Sequence, residues 1–183
     1  MAPHRTRDGL TVCLIGPECT GKTTLAQQLA AHFGAPWVPE FVREYASRAR
    51  RPLTVADVEP IAKGEIALLD VAAADDGLLI LDTDLFSTVV YSRHYYGACP
   101  EWIVAEAVMR QADLYLLTGI DVPWSGDDVR DSAETRPILH RAFASALDAL
   151  NARVVEISGS VEDRFAAAVK EIGHAETRRR GES

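Results

Sequence analysis

Short apolar runs alternate along the whole chain with longer segments of helical hydrophobic spacing. Such runs are typical of buried β-strands, and a period near 3.6 is typical of amphipathic helices. The predicted strands are Thr11–Ile15, Trp37–Val38, Leu78–Leu81, Asp113–Leu117 and Val154–Ile157. The predicted helices are Thr23–Phe33, Phe41–Arg50, Val55–Ala74, Leu85–Tyr95, Glu101–Gln111, Thr135–Asn151 and Val161–Ile172. Because strands that alternate with helices pair in parallel, the pattern predicts an α/β fold, a three-layer α/β/α sandwich around a mostly parallel five-stranded sheet.

The length and composition of the chain favour one domain. It has 183 residues, of which 48% are hydrophobic, enough for a sizeable core. We expect the domain to cover residues 10–173, between a disordered N-terminal arm at 1–9 and a disordered C-terminal tail at 174–183. One long irregular stretch, Gly119–Glu134, is rich in Asp, Gly, Ser and Pro and is predicted to form a mobile lid.

The segment between the first strand and the first helix has the pattern of a phosphate-binding loop. Residues 16–24 read Gly-Pro-Glu-Cys-Thr-Gly-Lys-Thr-Thr, which matches G-x-x-x-x-G-K-[ST]. Backbone N–H groups and the positive end of the helix dipole face phosphates in such a loop. We expect Lys22 to reach the β- and γ-phosphates of ATP and the Thr23 hydroxyl to bind Mg²⁺. The residues predicted to contact the nucleotide are Gly16, Glu18, Cys19, Thr20, Gly21, Lys22, Thr23 and Thr24.

Two aspartates follow the apolar run Leu78–Leu81. Asp82 stands where proteins with this loop place a carboxylate beside the Mg²⁺ shell, so we predict that it holds the metal, partly through water. Asp84 has two interpretations. It either caps the helix that begins at Leu85, or it binds substrate hydroxyls and accepts a proton.

A further acidic candidate, Glu40, comes just after the second strand. We expect this strand to lie next to the first one, which would place Glu40 opposite the γ-phosphate. A carboxylate there can accept the proton of an attacking hydroxyl. Arg43 and Glu44 follow on the next helix, where they either orient the substrate or pair along the helix surface.

The predicted lid contains two more candidates for the site. Trp124 stands in a polar loop, where its ring can stack on a base-like ring or pack beneath its own loop. Arg130 can neutralise charge that develops on the transferred phosphoryl group when a lid closes.

The balance of charges on the acceptor side bears on the class of substrate. Kinases that accept nucleoside monophosphates need arginines for the acceptor phosphate. The acidic candidates Glu40, Glu44 and Asp84 have only Arg43 and Arg93 as nearby basic residues. Such a pocket suits a cationic or neutral ring, while Arg43 keeps a phosphorylated acceptor open as an alternative.

Four stretches together resemble one known family, the ribosylnicotinamide kinase domain of the bacterial trifunctional NAD-biosynthesis regulator NadR and its stand-alone relatives. The resemblance covers about residues 11–172. It implies a phosphate-loop kinase fold and transfer of the ATP γ-phosphate to the 5′-hydroxyl of nicotinamide riboside. By similarity, the acceptor and base roles fall to Glu40, Asp82 and Asp84, ring stacking to Trp124 and the lid to Arg130. The four stretches are Gly16–Thr24, Val38–Tyr45, Leu81–Thr88 and Asp121–Asp131.

Other functions are disfavoured by the sequence. Full-length members of that family carry a DNA-binding segment and a nucleotidyltransferase domain, and repressor and adenylyltransferase activities are not expected of this chain. A net charge of −8 argues against non-specific nucleic-acid binding. Three cysteines without metal-ligand spacing, and the absence of an apolar run of about 20 residues, predict a cytoplasmic protein that does not enter membranes. The alternative within the same class is a kinase for another nucleoside or for a nucleoside monophosphate. A regulatory ATPase that binds a protein partner is the alternative from a different class.

Overall fold

The computed structural model describes residues 9–72, 77–123 and 134–181. Its strands are β1 (Thr11–Ile15), β2 (Trp37–Val38), β3 (Leu79–Asp82), β4 (Leu114–Thr118) and β5 (Val154–Ile157). Its helices are α1 (Lys22–Phe33), α2 (Phe41–Ala49), α3 (Val58–Ala72), α4 (Leu85–Tyr96), α5 (Glu101–Met109), α6 (Arg136–Asp148) and α7 (Val161–Gly181). A 3₁₀ turn, Val55–Asp57, leads into α3.

The five strands form one parallel sheet in the order β2-β3-β1-β4-β5. Every residue of β1, β3 and β4 is buried, as expected for strands covered by helices on both faces. The predicted α/β sandwich with five strands and seven helices is therefore confirmed, with element ends that differ by a few residues. None of the helices in the described ranges is both long and apolar enough to cross a membrane.

Two apolar cores lie on opposite faces of the sheet because successive strand residues point in opposite directions. Val12 and Leu14 of β1 face the core beneath α1 and α7. Cys13 and Ile15 face the second core, which α3, α4, α5 and α6 cover. The sheet thus separates the helix that follows the phosphate loop from the helices that follow β2 and β3.

The predicted neighbour of β2 is wrong. β2 pairs with β3, through Trp37 with Ile80 and Val38 with Leu81, and β3 lies between β2 and β1. The physical reason is burial. The β2 strand has two residues and Trp37 is only partly buried, so it suits a sheet edge, whereas the four residues of β3 are all buried and suit the interior.

The last helix is longer than its predicted span. The sequence predicts an end at Ile172 and a disordered tail from residue 174, but α7 continues to Gly181. Ala175 still packs in the core beyond Ile172, and Arg179 pairs with Asp113 at 3.1 Å, so the added turns are held against the domain. The predicted N-terminal arm lies outside the described residues except for residue 9.

Candidate active site

The phosphate loop has the backbone geometry that its glycines allow. Gly16 has φ 138° and Gly21 has φ 83°, values that favour glycine. A Cβ at Gly16 would lie 2.7 Å from the Thr118 hydroxyl oxygen, so the loop also needs glycine for space. Cys19 adopts φ 55° without being glycine. The loop therefore turns sharply between β1 and α1, as its sequence predicts.

Side chains of the loop hold its shape. The Thr20 hydroxyl lies 2.8 Å from the Pro17 carbonyl oxygen and 2.7 Å from the Thr118 hydroxyl at the end of β4. The Lys22 ammonium donates to the same Pro17 carbonyl at 2.7 Å and is buried. The Thr20 hydroxyl thus stabilises the conformation of the loop, and the Lys22 side chain crosses the loop to reach the Pro17 carbonyl.

Thr23 and Asp82 join the loop to β3. The Thr23 hydroxyl donates to Asp82 Oδ2 at 2.6 Å. Asp82 Oδ1 is buried and accepts no hydrogen bond from any of the described residues. Burial raises the pKa of Asp82 above its ordinary value, and the Thr23 hydrogen bond opposes that shift. A buried carboxylate oxygen without a partner is costly unless a cation or donor approaches it.

These oxygen atoms fit Mg²⁺, which prefers hard oxygen ligands and takes one or two carboxylates together with substrate phosphates. No three His, Cys, Asp or Glu side chains cluster as a metal site within the described ranges. Thr23 and Asp82 would therefore supply only part of a magnesium shell, and phosphate oxygens and water would supply the rest.

Asp84 is held by contacts within the protein. Its Oδ1 accepts from the Phe86 N–H at 3.0 Å, which caps α4, and its Oδ2 accepts from the Tyr115 hydroxyl at 2.7 Å. Burial raises the pKa of Asp84 to about 6. Between the two aspartates, Thr83 adopts φ 73°, a rare conformation for a β-branched residue. Of the two interpretations of Asp84, the structure shows the helix cap.

A cavity of about 660 Å³ opens between α2, α3 and α4. Glu40 and Thr83 belong to its wall, so it reaches the end of β3 next to Asp82. Most of the wall is apolar or aromatic. Its residues are Glu40, Phe41, Val42, Ala46, Arg50, Arg51, Pro52, Leu53, Thr54, Val58, Ile61, Glu65, Thr83, Ser87, Thr88, Tyr91, Ser92, Tyr95 and Tyr96.

The predicted acceptor residues divide between the cavity and the surface. The Glu40 side chain is 9% exposed and accepts a hydrogen bond from Arg43 Nε at 2.7 Å. Glu44 pairs with Arg48 on the exposed face of α2 and is not part of the cavity wall. The structure thus brings Glu40 to the cavity and leaves Glu44 outside it. Trp124 and Arg130, predicted for ring stacking and the lid, lie outside the described residues.

Glu65 of α3 is a cavity residue that the sequence does not single out. It is 8% exposed, and its Oε2 accepts from the Thr88 hydroxyl at 3.1 Å. Burial, with a smaller contribution from the charge of Asp84, raises the pKa of Glu65 to about 8. A carboxyl within the apolar face formed by Ile61 and Leu69 is the sequence signal that could have identified it.

Aromatic rings also line the cavity. The Tyr91 and Tyr95 rings are stacked, with centroids 6.1 Å apart and 6° between their planes. Phe41 lies against the backbone of α3, where a Cβ on Gly64 would be 2.1 Å from its ring. Gly64 is therefore needed for the close approach of α2 and α3 that forms this wall.

Two buried arginines behind the phosphate loop were also missed. Arg164 Nη1 donates to the Thr20 carbonyl at 2.9 Å, and Arg136 Nη2 donates to the Cys19 carbonyl at 3.3 Å. Arg164 also pairs with Asp121. Each arginine lies in the first turn of its helix, but only the tertiary structure shows that both reach carbonyl groups of the loop.

Comparison with known protein families agrees with this architecture. The family model AAA_28, described as an AAA domain, matches residues 11–164. This span contains the phosphate loop, β3 and every residue of the cavity wall.

Individual proteins are similar to the chain as well. The trifunctional NAD biosynthesis/regulator protein NadR of Salmonella typhimurium is 27% identical over 142 residues, which is 75% of this chain and 34% of the relative. The chain therefore spans about a third of that relative's length. A crystal structure of NadR protein in complex with NR superposes with a TM-score of 0.73 at 24% identity, over 91% of this chain and 49% of the other. Thymidylate kinase from Ehrlichia chaffeensis has a TM-score of 0.66 at 13% identity, over 90% of this chain and 98% of the other. These structural likenesses show the fold.

Proposed function

The chain belongs to the AAA_28 family of AAA domains, and from that premise we propose that it is a kinase that transfers the γ-phosphoryl group of ATP to the 5′-hydroxyl of nicotinamide riboside. The observation that carries the proposal is the cavity at the end of β3, where Asp82 contacts Thr23 of the phosphate loop. It offers carboxylates and aromatic rings to an acceptor, and both suit a cationic nucleoside base. The product is nicotinamide mononucleotide, so the reaction belongs to NAD salvage.

Similarity to NadR supports the choice of acceptor. One relative is named for NAD biosynthesis, and the NadR structure with a TM-score of 0.73 contains NR, which we take as nicotinamide riboside. The similarity reaches this chain over most of its length, but it covers a third to a half of the relatives. The proposal is accordingly limited to the kinase reaction.

The donor half of the reaction is assigned to the phosphate loop. Backbone N–H groups of residues 16–24 bind the ATP phosphates, and Lys22 binds the β- and γ-phosphates. Thr23 and Asp82 would hold Mg²⁺, which neutralises charge on the phosphate oxygens when bound. The buried Oδ1 of Asp82 supports this assignment because a cation satisfies it.

The proton of the acceptor hydroxyl is assigned to Glu40. A bond forms between the 5′-oxygen and the γ-phosphorus, the bond from that phosphorus to the bridging oxygen of ADP breaks, and Glu40 takes the hydroxyl proton. Glu40 lines the cavity, whereas both oxygens of Asp84 already accept hydrogen bonds inside the protein. Glu40, which follows β2, is therefore a better general base than Asp84.

A nucleoside monophosphate is the second candidate acceptor, and one observation favours it. Arg50 and Arg51 belong to the cavity wall and could bind a phosphate. However, both terminal nitrogens of Arg51 are bound to Asp57 at 2.7 Å. Arg43 pairs with Glu40, and Arg93 is exposed and outside the cavity wall. Fewer arginines are thus available to bind an acceptor phosphate than the number near the cavity suggests.

The cellular location belongs to the same proposal. Three free cysteines, with no membrane-spanning helix in the described ranges, support a cytoplasmic enzyme.

The test is ADP release from Mg²⁺-ATP with a panel of nucleosides and nucleotides that includes nicotinamide riboside, nicotinic acid riboside, thymidine and their 5′-monophosphates. We expect nicotinamide riboside to stimulate ADP release the most and to yield its mononucleotide by mass spectrometry. Stimulation by phosphorylated acceptors alone would exclude the proposal and favour a nucleoside monophosphate kinase. Slow ATP hydrolysis that no acceptor stimulates would favour a regulatory ATPase.

A further inference from the structure

Glu65 is a buried carboxyl group on the wall of the cavity that receives the acceptor in the proposed function. It lies on α3, faces α4 through the Thr88 hydroxyl, and is 8% exposed. Thr88 is the one residue, of those described, that hydrogen-bonds this carboxyl. The cavity wall therefore presents a carboxyl group to whatever fills the space.

The charges around Glu65 are negative. Its electrostatic neighbours are Asp84 and Glu40, the residues that directly precede α4 and α2, and both disfavour ionisation of Glu65. Of the two wall arginines, Arg51 is bound to Asp57, and Arg50 is exposed at its position after α2. Within the described part of the chain, no cation pairs with Glu65. An ionised carboxylate here is costly until a positive charge approaches it.

The tyrosines of the cavity wall suit such a positive charge. Tyr91 and Tyr95 present stacked rings, and ring faces attract cations as well as flat rings. A ligand with a flat, positively charged ring can therefore contact aromatic rings and the Glu65 carboxylate within the same cavity.

We propose that Glu65 determines the specificity of the cavity for acceptors that carry a positively charged base. This inference rests on the proposed function, because it assigns a further residue to the acceptor site. The chemical class is an N-glycosylated pyridinium, in which the ring nitrogen bears the positive charge. A ring of the same shape without the charge gains no ion pair with Glu65 and binds less well.

The experiment compares two ligands of nearly the same shape by isothermal titration calorimetry without ATP. Nicotinamide riboside has a cationic ring, and dihydronicotinamide riboside has a neutral one. We expect wild-type protein to bind the cationic form at least about tenfold more tightly. Glu65→Gln should weaken binding of the cationic form by about 10- to 100-fold, as for removal of one partner of a buried charge pair, and should change binding of the neutral form by less than about threefold.

Glu59→Gln is the matched control, because Glu59 lies on the same helix with its side chain 49% exposed. It should leave both affinities unchanged. Equal binding of the two ligands to the wild-type protein would overturn the proposal without any variant. An equal loss for both ligands in Glu65→Gln would also overturn it, since Glu65 would then support the cavity rather than recognise charge.

Binding and phosphoryl transfer separate this inference from the proposed function. Preferred binding of the cationic riboside without its phosphorylation would refute the kinase reaction and leave the recognition by Glu65 standing. Phosphorylation of both ribosides with equal kcat/KM would support the kinase reaction and refute the recognition of charge by Glu65.

Discussion

The Thr23 hydroxyl donates a hydrogen bond to Asp82, with 2.6 Å between Oγ1 and Oδ2. The two residues are 59 positions apart, and they meet because β1 and β3 are adjacent parallel strands whose carboxyl ends lie at the same sheet edge. Asp82 is followed by Thr83, which belongs to the cavity wall. One hydrogen bond thus joins the phosphate loop to the strand that borders the cavity.

Asp82→Asn should impair the use of Mg²⁺. The amide keeps an oxygen for the Thr23 hydroxyl but loses the negative charge that a magnesium ion needs. We expect kcat to fall by at least about 100-fold, with a higher Mg²⁺ concentration for half-maximal activity. ADP release measured over a Mg²⁺ titration gives both kcat and the Mg²⁺ concentration for half-maximal activity. Asp70→Asn, an exposed aspartate that pairs with Arg110, should behave as wild type. An unchanged Mg²⁺ dependence in Asp82→Asn would refute the metal assignment.

Lys22→Ala should abolish phosphoryl transfer and leave the fold intact. Among the described residues the ammonium hydrogen-bonds only the Pro17 carbonyl, so its removal costs one hydrogen bond within the loop. Loss of a charge at the transferred phosphate should lower kcat/KM by at least about 100-fold. ADP release reports activity, and circular dichroism reports the fold. Lys63→Ala, with a 68% exposed side chain, is the control. Persistent activity in purified Lys22→Ala would contradict the donor site.

Glu40→Gln should slow the chemical step more than it weakens acceptor binding. A general base contributes about 10²- to 10⁴-fold to the rate, and the amide cannot accept the proton. We therefore expect kcat to fall by about that factor, while KM for the acceptor changes little. Glu44→Gln is the matched control, because Glu44 pairs with Arg48 away from the cavity. A raised KM with an unchanged kcat would make Glu40 a binding group instead.

Asp84→Asn should lower stability more than activity. The amide cannot accept from both Phe86 and Tyr115, so one buried donor loses its partner, at a cost of about 1–3 kcal/mol. Urea unfolding should show this loss, while kcat of the folded variant stays within about threefold of wild type. A large fall in kcat with unchanged stability would return Asp84 to the list of candidate bases.

The parts of the site that depend on local sequence were predictable. The phosphate loop forms from consecutive residues, because Gly16 and Gly21 allow its turns whatever surrounds them. Asp82 was found from its position after an apolar strand, and its contact with Thr23 follows from parallel pairing. Glu40 lines the cavity next to the end of β3, although the predicted neighbour of β2 is wrong, and its role toward an acceptor stays a prediction.

The parts that depend on distant contacts were not predictable. In the sequence, Glu65 looks like any polar residue of an amphipathic helix. It is buried beside Thr88 only because α3 packs on α4. The sequence allows two interpretations of Asp84, a helix cap or a substrate-binding group. It does not show that Asp84 Oδ2 accepts a hydrogen bond from the Tyr115 hydroxyl, 31 residues away. Helix α7 continues beyond its predicted end because Ala175 is buried in the core. In each case a residue far along the chain decides the outcome.

Glu65 should also make the stability of the ligand-free protein depend on pH. Burial raises the pKa of Glu65 from 4.5 to about 8, so the folded state binds a proton that the unfolded state has released between these values. The free energy of unfolding therefore falls as pH rises through this window. Burial raises the pKa of Asp84 only to about 6, so Asp84 contributes to the slope below pH 6.

Between pH 6 and pH 8 the slope that Glu65 causes should disappear in Glu65→Gln. At about 1.4 kcal/mol for each pKa unit, wild type should lose up to about 2–3 kcal/mol over this interval relative to the variant. Urea unfolding at pH 6, 7 and 8 measures this difference between wild type and Glu65→Gln. Glu59→Gln should follow wild type at all three pH values, because its side chain is half exposed. Parallel profiles for wild type and Glu65→Gln would mean that Glu65 is ionised in the empty cavity, with a cation or water near it that the fold supplies.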